Sequence, residues 1–414
     1  MTTRNMMARG VAAMRSGAWL TERRTVVYSR TLVAAYAFLI AVGLLTATGP
    51  MDALRRPLGT DFSQVWAAGV SVLEGHPERP FDPGLHAAAQ RALFAPDTPF
   101  YGWHYPPYFL LVAALAALVP YVPALLLWQG VTFTAYLLVM RRIVPHPLTL
   151  LLAAAFPAVL VNMGHGHNGF LTASLLGGGL LLLHRRPVLA GLLLGLLVYK
   201  PQLGLMLPLA LLAGRHWTAL ASAGATVMLM TFATLAAFGM RSWQAFEASL
   251  AFTRTVVLEQ GATGWEKIQS IFSAMRALGA SIGDAYACQA VLTAGVALAV
   301  AWLWWGRADM RLKSGALIVG TLLSTPYVLD YDMVVLGPAL GFAASWERER
   351  GSHPWLASLL AMVWVAPILT RSVAGYTLVP LGLIAMMAFF AAMVRFGRAA
   401  WPCAVLDRSR PNVA

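Results

Sequence analysis

Residues 31–49 read TLVAAYAFLIAVGLLTATG, a run without a single charged side chain. Similar runs follow at 217–239 and 376–394. An α-helix needs about 20 apolar residues to cross the hydrocarbon core of a bilayer. The whole chain of 414 residues is 59% hydrophobic and 11% charged, whereas a soluble domain carries about 25% charged residues. The sequence therefore predicts an all-α polytopic membrane protein, and we expect about twelve transmembrane helices.

The basic residues predict the topology. The formal net charge is +13, from 30 Lys and Arg against 17 Asp and Glu, and the positive charges stand in short clusters between apolar runs. Such clusters mark cytoplasmic loops, so they do not call for a nucleic-acid partner. We expect a cytoplasmic segment at 1–30, a membrane domain at 31–396 whose first span is not cleaved, and a cytoplasmic tail at 397–414. Residues 50–105 and 240–285 then form two large periplasmic loops of a protein in a bacterial-type plasma (inner) membrane.

One segment conflicts with this topology. Residues 106–140 must cross the membrane once, yet they contain two apolar runs. Either one run is short or re-entrant, or the pair Arg141 and Arg142 breaks the positive-inside rule.

Both expected outer loops contain amphipathic patterns. DFSQVWAAGVSVLEG at 61–75 places apolar side chains on one helical face at spacings of three and four. These are Phe62, Val65, Trp66, Gly69, Val70 and Leu73. PGLHAAAQRALF at 83–94 predicts a second helix beginning at Pro83. Residues 241–259 and 265–278 repeat the pattern in the second loop. We expect interfacial helices that roof an active site.

Lys200 is one of three lysines, and it interrupts the apolar stretch LAGLLLGLLVYKPQLGLMLPLALL. Ionisable groups at membrane depth are costly and usually functional. Pro201 directly follows and breaks the helix. Two interpretations stay open: Lys200 snorkels to the membrane interface, or its ammonium binds a phosphate.

Two further polar stretches adjoin apolar runs. GHGHNG at 164–169 supplies His167 and Asn168 beside glycines, and YGWHYPPY at 101–108 supplies His104 and Tyr105. A polar interfacial turn and an aromatic belt are the alternatives that need no function.

TPYVLDYD at 325–332 carries Asp330 and Asp332 on either side of Tyr331. The two acids suit a cation, an arginine partner or sugar hydroxyls, and a solvated helix cap is the alternative.

Two cysteines, Cys288 in an apolar run and Cys403 in the tail, do not predict a disulfide or a thiolate metal site. No nucleotide, dinucleotide or zinc motif is present, so we expect no cofactor and no metal.

The ordered set GTDFSQVWAAG, HYPPYFLL, NMGHGHNGFLTASLLGGGLLLL and VYKPQLGLMLPLALL resembles glycosyltransferase family eighty-seven over residues 55–345. The chain departs from the usual family pattern in having His167 where a glutamine is common, and TPYVLDYD where a tryptophan and a histidine are common. The resemblance implies a membrane bundle of the GT-C type. It also implies a polyprenyl-phosphate sugar donor, with mannose as the expected sugar, and a lipid-linked or envelope glycan acceptor.

The resemblance also implies an essential acid in the first outer loop, where this chain has Asp61. A lipid-phosphate sugar leaves as a stable phosphate anion, so a single carboxylate suffices as general base for the acceptor hydroxyl, and in-line attack inverts the anomeric carbon. The alternative is that Asp61 is the N-cap of the helix that follows. Lys200 is then the first candidate for the donor phosphate. Secondary candidates for the pocket are His104, Tyr105, His167, Asn168, Gln202, Asp330, Tyr331 and Asp332.

A transporter or flippase for a polyprenyl-linked or other lipid is the rival class of function. It accounts for the spans and for an intramembrane Lys200. It does not account for two long amphipathic outer loops.

Overall fold

The computed structural model describes residues 3–399. Cys403 and residues 400–414, most of the expected tail, lie outside the described residues. Nineteen α-helices make up most of the described part. The first ten are α1 Thr3–Ser16, α2 Glu22–Leu45, α3 Thr60–Leu73, α4 Pro83–Leu93, α5 Leu110–Ala117, α6 Tyr121–Ile143, α7 Thr149–Ala154, α8 Pro157–His165, α9 Gly169–Leu182 and α10 Pro187–Gly195. The other nine are α11 Pro201–Gly204, α12 Leu207–Ala213, α13 Trp217–Phe252, α14 Ile271–Ala277, α15 Ile282–Trp305, α16 Met310–Leu323, α17 Leu336–Arg350, α18 Leu356–Thr377 and α19 Leu381–Ala399.

The expected all-helical membrane architecture is confirmed, because the described residues contain helices and isolated β-bridges but no strand. Six helices are long and apolar enough to cross a membrane: Glu22–Leu45, Tyr121–Ile143, Trp217–Glu259, Ile282–Trp305, Leu356–Thr377 and Leu381–Arg398. Four apolar helices are shorter: Pro107–Ala117, Gly169–Leu182, Pro187–Tyr199 and Pro201–Ala213. The structure therefore does not confirm a count of twelve spans, since several apolar runs are broken by prolines and glycines into pieces shorter than the bilayer.

The two apolar runs within 106–140 differ in length. Pro107–Ala117 is a short helix, whereas Tyr121–Ile143 is one of the six long ones. Prolines at 106 and 107 begin the short helix and Pro120 separates it from the next. Eleven helical residues rise about 16 Å, roughly half of the hydrocarbon thickness. Of the interpretations left open, the structure supports a short first helix.

The amphipathic helices of the first loop form where the sequence predicts them. α4 begins at Pro83, and Asp82 caps it by accepting a hydrogen bond from the Leu85 N–H at 2.9 Å. α3 packs closely on α5, because a Cβ on Gly69 would lie 2.0 Å from the Ala113 carbonyl oxygen. The predicted apolar face of α3 is buried at Phe62 and Val65, but Leu73 at its end is 52% exposed.

The second loop continues directly from a long helix. α13 has a kink at Gly239, whose φ of 70° lies in the left-handed region, and it is followed by a π-helical turn, Thr253–Glu259. A 3₁₀ turn, Trp265–Lys267, then precedes α14. The Gln269 N–H donates to the Val328 carbonyl at 2.7 Å, which ties this loop to the segment between α16 and α17.

α16 and α17 are both largely buried in the bundle. Residues 324–335 connect them, and a 3₁₀ helix, Asp330–Val335, lies in this connection. Its position beside α8 and the second loop brings both aspartates of TPYVLDYD against polar side chains from distant parts of the chain.

Candidate active site

A polar cavity of about 260 Å³ lies where the two loops meet the connection between α16 and α17. Its walls come from segments that are far apart in sequence, which indicates a site assembled by the fold. The lining residues are Thr60, Asp61, Gln64, Phe100, Tyr101, Gly102, His104, Tyr105, His165, His167, Lys200, Gln202, Thr263, Lys267, Tyr327, Leu329, Tyr331, Asp332 and Arg371. We refer to it as the Asp61 pocket.

Asp61 lies in the first turn of α3 and does not cap it. The N-cap residue is Gly59, with φ 62°, and no side chain caps this helix. The interpretation of Asp61 as an N-cap is therefore wrong. The side chain is 15% exposed, and its Oδ2 atom has no hydrogen-bond partner among the described residues. Asp61 lines the cavity although Oδ2 itself is buried, so the described residues do not fully satisfy this carboxylate.

The electrostatic environment of Asp61 suits proton transfer near neutral pH. Burial raises the pKa of this carboxyl, the neighbouring Lys267 and Lys200 lower it, and the net effect is a pKa of about 6. A carboxyl with that pKa is ionised at neutral pH, yet it is a stronger base than an exposed aspartate.

His165 stands beside Asp61 without forming a strong ion pair. Its Nδ1 atom lies 3.0 Å from the Thr60 hydroxyl oxygen and 3.9 Å from Asp61 Oδ1. Burial, helped by the positive charge of Lys267, lowers the pKa of His165 to about 4. The imidazole is therefore neutral at physiological pH, and it adds polarity rather than charge to the pocket.

Lys200 forms a buried ion pair at the back of the pocket. Its Nζ atom donates to Asp332 Oδ1 at 2.6 Å, and the two side chains are 4% and 3% exposed. The 3₁₀ turn Leu196–Tyr199 and Pro201 break the apolar stretch at this point, which turns the lysine inward. The ammonium therefore does not snorkel to the membrane interface.

An aromatic and imidazole cluster covers this ion pair. The rings of His167 and Tyr331 stack with centroids 3.7 Å apart. His167 Nε2 lies 3.2 Å from the Tyr105 hydroxyl and 3.4 Å from Lys200 Nζ. The His167 of the glycine-rich turn and the Tyr331 of TPYVLDYD, which are far apart in sequence, thus form one wall of the pocket.

Of the remaining predicted residues, some line the pocket and others are buried outside its lining. His104 and Gln202 line the pocket, and His104 Nδ1 lies 2.9 Å from the Thr253 hydroxyl of the second loop. Asn168 is buried behind the wall, with neither amide atom partnered among the described residues. Asp330 is also outside the lining, and its Oδ1 accepts the Tyr331 N–H at 2.9 Å. Asp332 both pairs with Lys200 and accepts the Leu329 N–H at 3.2 Å.

Two cationic residues of the pocket were not predicted from the sequence. Lys267 lies in the 3₁₀ turn of the second loop, with its Nζ 5.1 Å from the centroid of the Tyr331 ring, and Arg371 comes from α18. Within residues 3–399 neither has a carboxylate within 4.0 Å. Lys267 had a signal in the sequence, as one of only three lysines and the one in the second expected outer loop.

Metal-binding side chains are not clustered in the described residues. The described part of the chain contains no group of three His, Cys, Asp or Glu side chains that could hold a metal ion. The pocket brings together a carboxylate with a raised pKa, neutral imidazoles, tyrosines and two cations without carboxylate partners among the described residues.

The fold and the site define a multi-pass membrane protein with a carboxylate-bearing polar pocket. Residues 103–326, more than half of the chain, match glycosyltransferase family 87, so the chain belongs to this family and is a membrane glycosyltransferase. No curated protein and no solved structure matches it. The matched range includes His104, His167, Lys200 and Lys267, whereas Asp61, Asp332 and Arg371 lie outside it.

Proposed function

We propose that the protein transfers a hexose, with mannose as the expected sugar, from a polyprenyl-phosphate donor to a hydroxyl of a lipid-linked or envelope glycan acceptor. The reaction inverts the anomeric carbon, and the Asp61 pocket of a GT-C-type bundle faces the periplasm of a plasma (inner) membrane. The observation that supports this most directly is the carboxylate of Asp61. It does not cap its helix, it has an unpartnered oxygen, and two cations without carboxylate partners line the same pocket.

The chemistry needs one base and a binding site for a leaving phosphate. The acceptor hydroxyl gives its proton to the Asp61 carboxylate while its oxygen forms a bond to the anomeric carbon. The bond between that carbon and the phosphate oxygen breaks on the opposite face. The phosphate leaves with the electron pair of that bond as a stable anion, so no general acid is required, unlike the protonated leaving group of glycoside hydrolysis.

The donor phosphate needs a cation that is free to bind it. Lys200 is the residue that the sequence favours, but its ammonium already binds Asp332 in a buried site. Lys267 and Arg371 line the pocket without a carboxylate partner among the described residues. We therefore assign the phosphate contact to Lys267 and Arg371, and we assign to Lys200 the role of holding Asp332, and with it the connection between α16 and α17, in place.

A flippase for a polyprenyl-linked lipid is the rival proposal, and one experiment separates the two. Purified protein is incubated with radiolabelled polyprenyl-phosphate mannose and a lipid extract, and also reconstituted into vesicles that carry the labelled donor. Transfer predicts a new labelled glycolipid. Label that crosses the vesicle membrane without entering any new product supports the flippase and contradicts the transferase.

A further inference from the structure

A second cavity of about 390 Å³ shares no lining residue with the Asp61 pocket. It lies between α2, α6, α7, α17 and α18, and we refer to it as the apolar groove. Its wall is mainly aromatic and aliphatic, with Tyr136, Met140, Phe156, Leu340, Leu360 and Trp364 among its residues. Polar substrates of a glycosyl transfer do not fit such a wall, whereas a hydrocarbon chain does.

Three candidate membrane-spanning helices place the apolar groove at the end opposite the Asp61 pocket. In α6, Tyr121 donates to the Leu58 carbonyl beside the Asp61 pocket, while Met140 near the other end lines the groove. In α18, Arg371 lines the Asp61 pocket and Ala361, ten residues earlier, lines the groove. In α2, the groove residues lie in the N-terminal turns, and the C-terminal end leads to the Asp61 loop.

The length of the apolar groove matches one leaflet of a bilayer. It follows α17 from Gly337 to Glu347, a helical rise of about 15 Å. The hydrocarbon core of a bilayer is about 30 Å thick, so this is about one half of it. Gly341 lets α17 pack closely on α6 beside the groove, because a Cβ there would lie 3.2 Å from the Met140 and Ile143 side chains.

Positive charge gathers where the apolar groove ends. Arg24 Nη1 donates to the carbonyl of Trp19, a groove residue, at 3.0 Å, and the Trp19 indole N–H is fixed by Ser358 Oγ at 2.7 Å. Arg141 follows Met140 on α6 and, although it does not line the groove, its guanidinium donates to the His146 carbonyl near the same end. The only acidic lining residue is Glu347, whose Oε1 accepts the His353 N–H at 3.4 Å. Residues 1–30 contain six arginines and one acid.

We propose that the apolar groove binds one acyl chain of an anionic phospholipid from the leaflet opposite the Asp61 pocket, with the headgroup at Arg24 and Arg141. The groove opens among candidate membrane spans, where lipid chains are the available ligand. The arginines at its end attract an anionic headgroup, each contributing about fivefold in affinity near a membrane surface. This site goes beyond the proposed transfer reaction and does not depend on it.

The test is native mass spectrometry of the full chain in detergent, with phosphatidylglycerol or phosphatidylcholine added at equal concentration. The Ala361→Trp variant fills the groove, and Ala294→Trp on the exposed face of α15 is the matched control. We expect wild type and Ala294→Trp to retain one phosphatidylglycerol in preference to phosphatidylcholine, and Ala361→Trp to lose it. Arg24→Gln is expected to reduce the preference about fivefold.

Two results would overturn the proposal. If Ala361→Trp retains as much lipid as Ala294→Trp while both unfold at the wild-type temperature, the groove is not the lipid site. If wild type binds both lipids equally and Arg24→Gln does not change the bound fraction of either lipid, these arginines do not bind the headgroup.

Discussion

Lys200 Nζ lies 2.6 Å from Asp332 Oδ1, in a place where both side chains are almost fully buried. The pair joins the break between α10 and α11 to the connection between α16 and α17. Removing one member leaves the other charge buried without its partner, which costs about 3–5 kcal/mol. Variants of this pair should therefore change the free energy of unfolding, whereas variants of the other pocket residues should change the transfer reaction.

Lys200→Met is predicted to destabilise the protein strongly, because it leaves the buried Asp332 side chain without its partner. Lys200→Met combined with Asp332→Leu is predicted to recover most of the loss, since neither charge then remains. Thermal unfolding of the single and double variants in the same detergent measures both effects. A folded Lys200→Met protein with unchanged unfolding temperature and a raised donor KM would instead show that Lys200 meets the donor phosphate directly.

Lys267→Met is predicted to raise the donor KM about tenfold or more. A charge-assisted hydrogen bond to phosphate contributes about 1.5–3 kcal/mol, and Lys267 has no carboxylate within 4.0 Å among the described residues. Initial rates over a range of donor concentrations provide the measurement. Arg254→Gln, in the same loop but outside the pocket, is the matched control, and an equal effect in both variants would argue for a general loss of loop charge.

The stability of the wild type is predicted to fall relative to that of Asp61→Asn as pH rises. The folded protein holds the pKa of Asp61 at about 6, above the unfolded value of about 3.9. The folded state therefore binds the proton more tightly, and this stabilisation is complete below pH 4 and lost as pH rises through 6. The total is about 3 kcal/mol. Unfolding temperatures of both proteins at pH 4, 6 and 7.5 should diverge, and a constant difference would refute the raised pKa.

Residues 50–105 and 240–285 are predicted to lie on the side of the membrane opposite the N-terminus, because the arginine clusters lie between the other spans. Single-cysteine variants at Asp97 and Ala280, made in a chain lacking Cys288 and Cys403, are to be labelled with an impermeant maleimide. An Ala8→Cys variant is the control for the opposite side. Labelling of either loop only from the cytoplasmic side would contradict the topology.

The sequence predicted the helical membrane class and the two helices of the first loop because apolar length and helical periodicity are local properties. The count of spans was not predictable in the same way. Pro201 divides one apolar stretch into helices too short to cross, whereas Gly239 only kinks α13, which continues from a span into the loop that follows. Whether such residues end, bend or continue a helix depends on the packing around them.

Several residues of the site were predictable one by one, but their arrangement was not. Asp61, Lys200 and Tyr331 stood out as polar groups beside apolar runs, and all three line the Asp61 pocket. Their pairing did not follow from the sequence, because Lys200 and Asp332 are separated by 132 positions. Arg371 is the only charged residue of the apolar helix α18, so it carried the same signal as Lys200, but its place in the pocket depends on packing that the sequence does not show.

The Asp61→Asn variant tests most directly whether Asp61 is the general base. Asparagine keeps the size of the side chain but cannot take the acceptor's proton, and Gly59, not Asp61, is the N-cap of the helix. We predict that Asp61→Asn remains folded, binds donor and loses at least about a hundredfold in transfer rate, the usual contribution of a general base. Asp82→Asn, at the N-cap of α4, is the matched control and should retain activity. Substantial transfer by Asp61→Asn, measured on the same preparation as its thermal stability, would contradict the account.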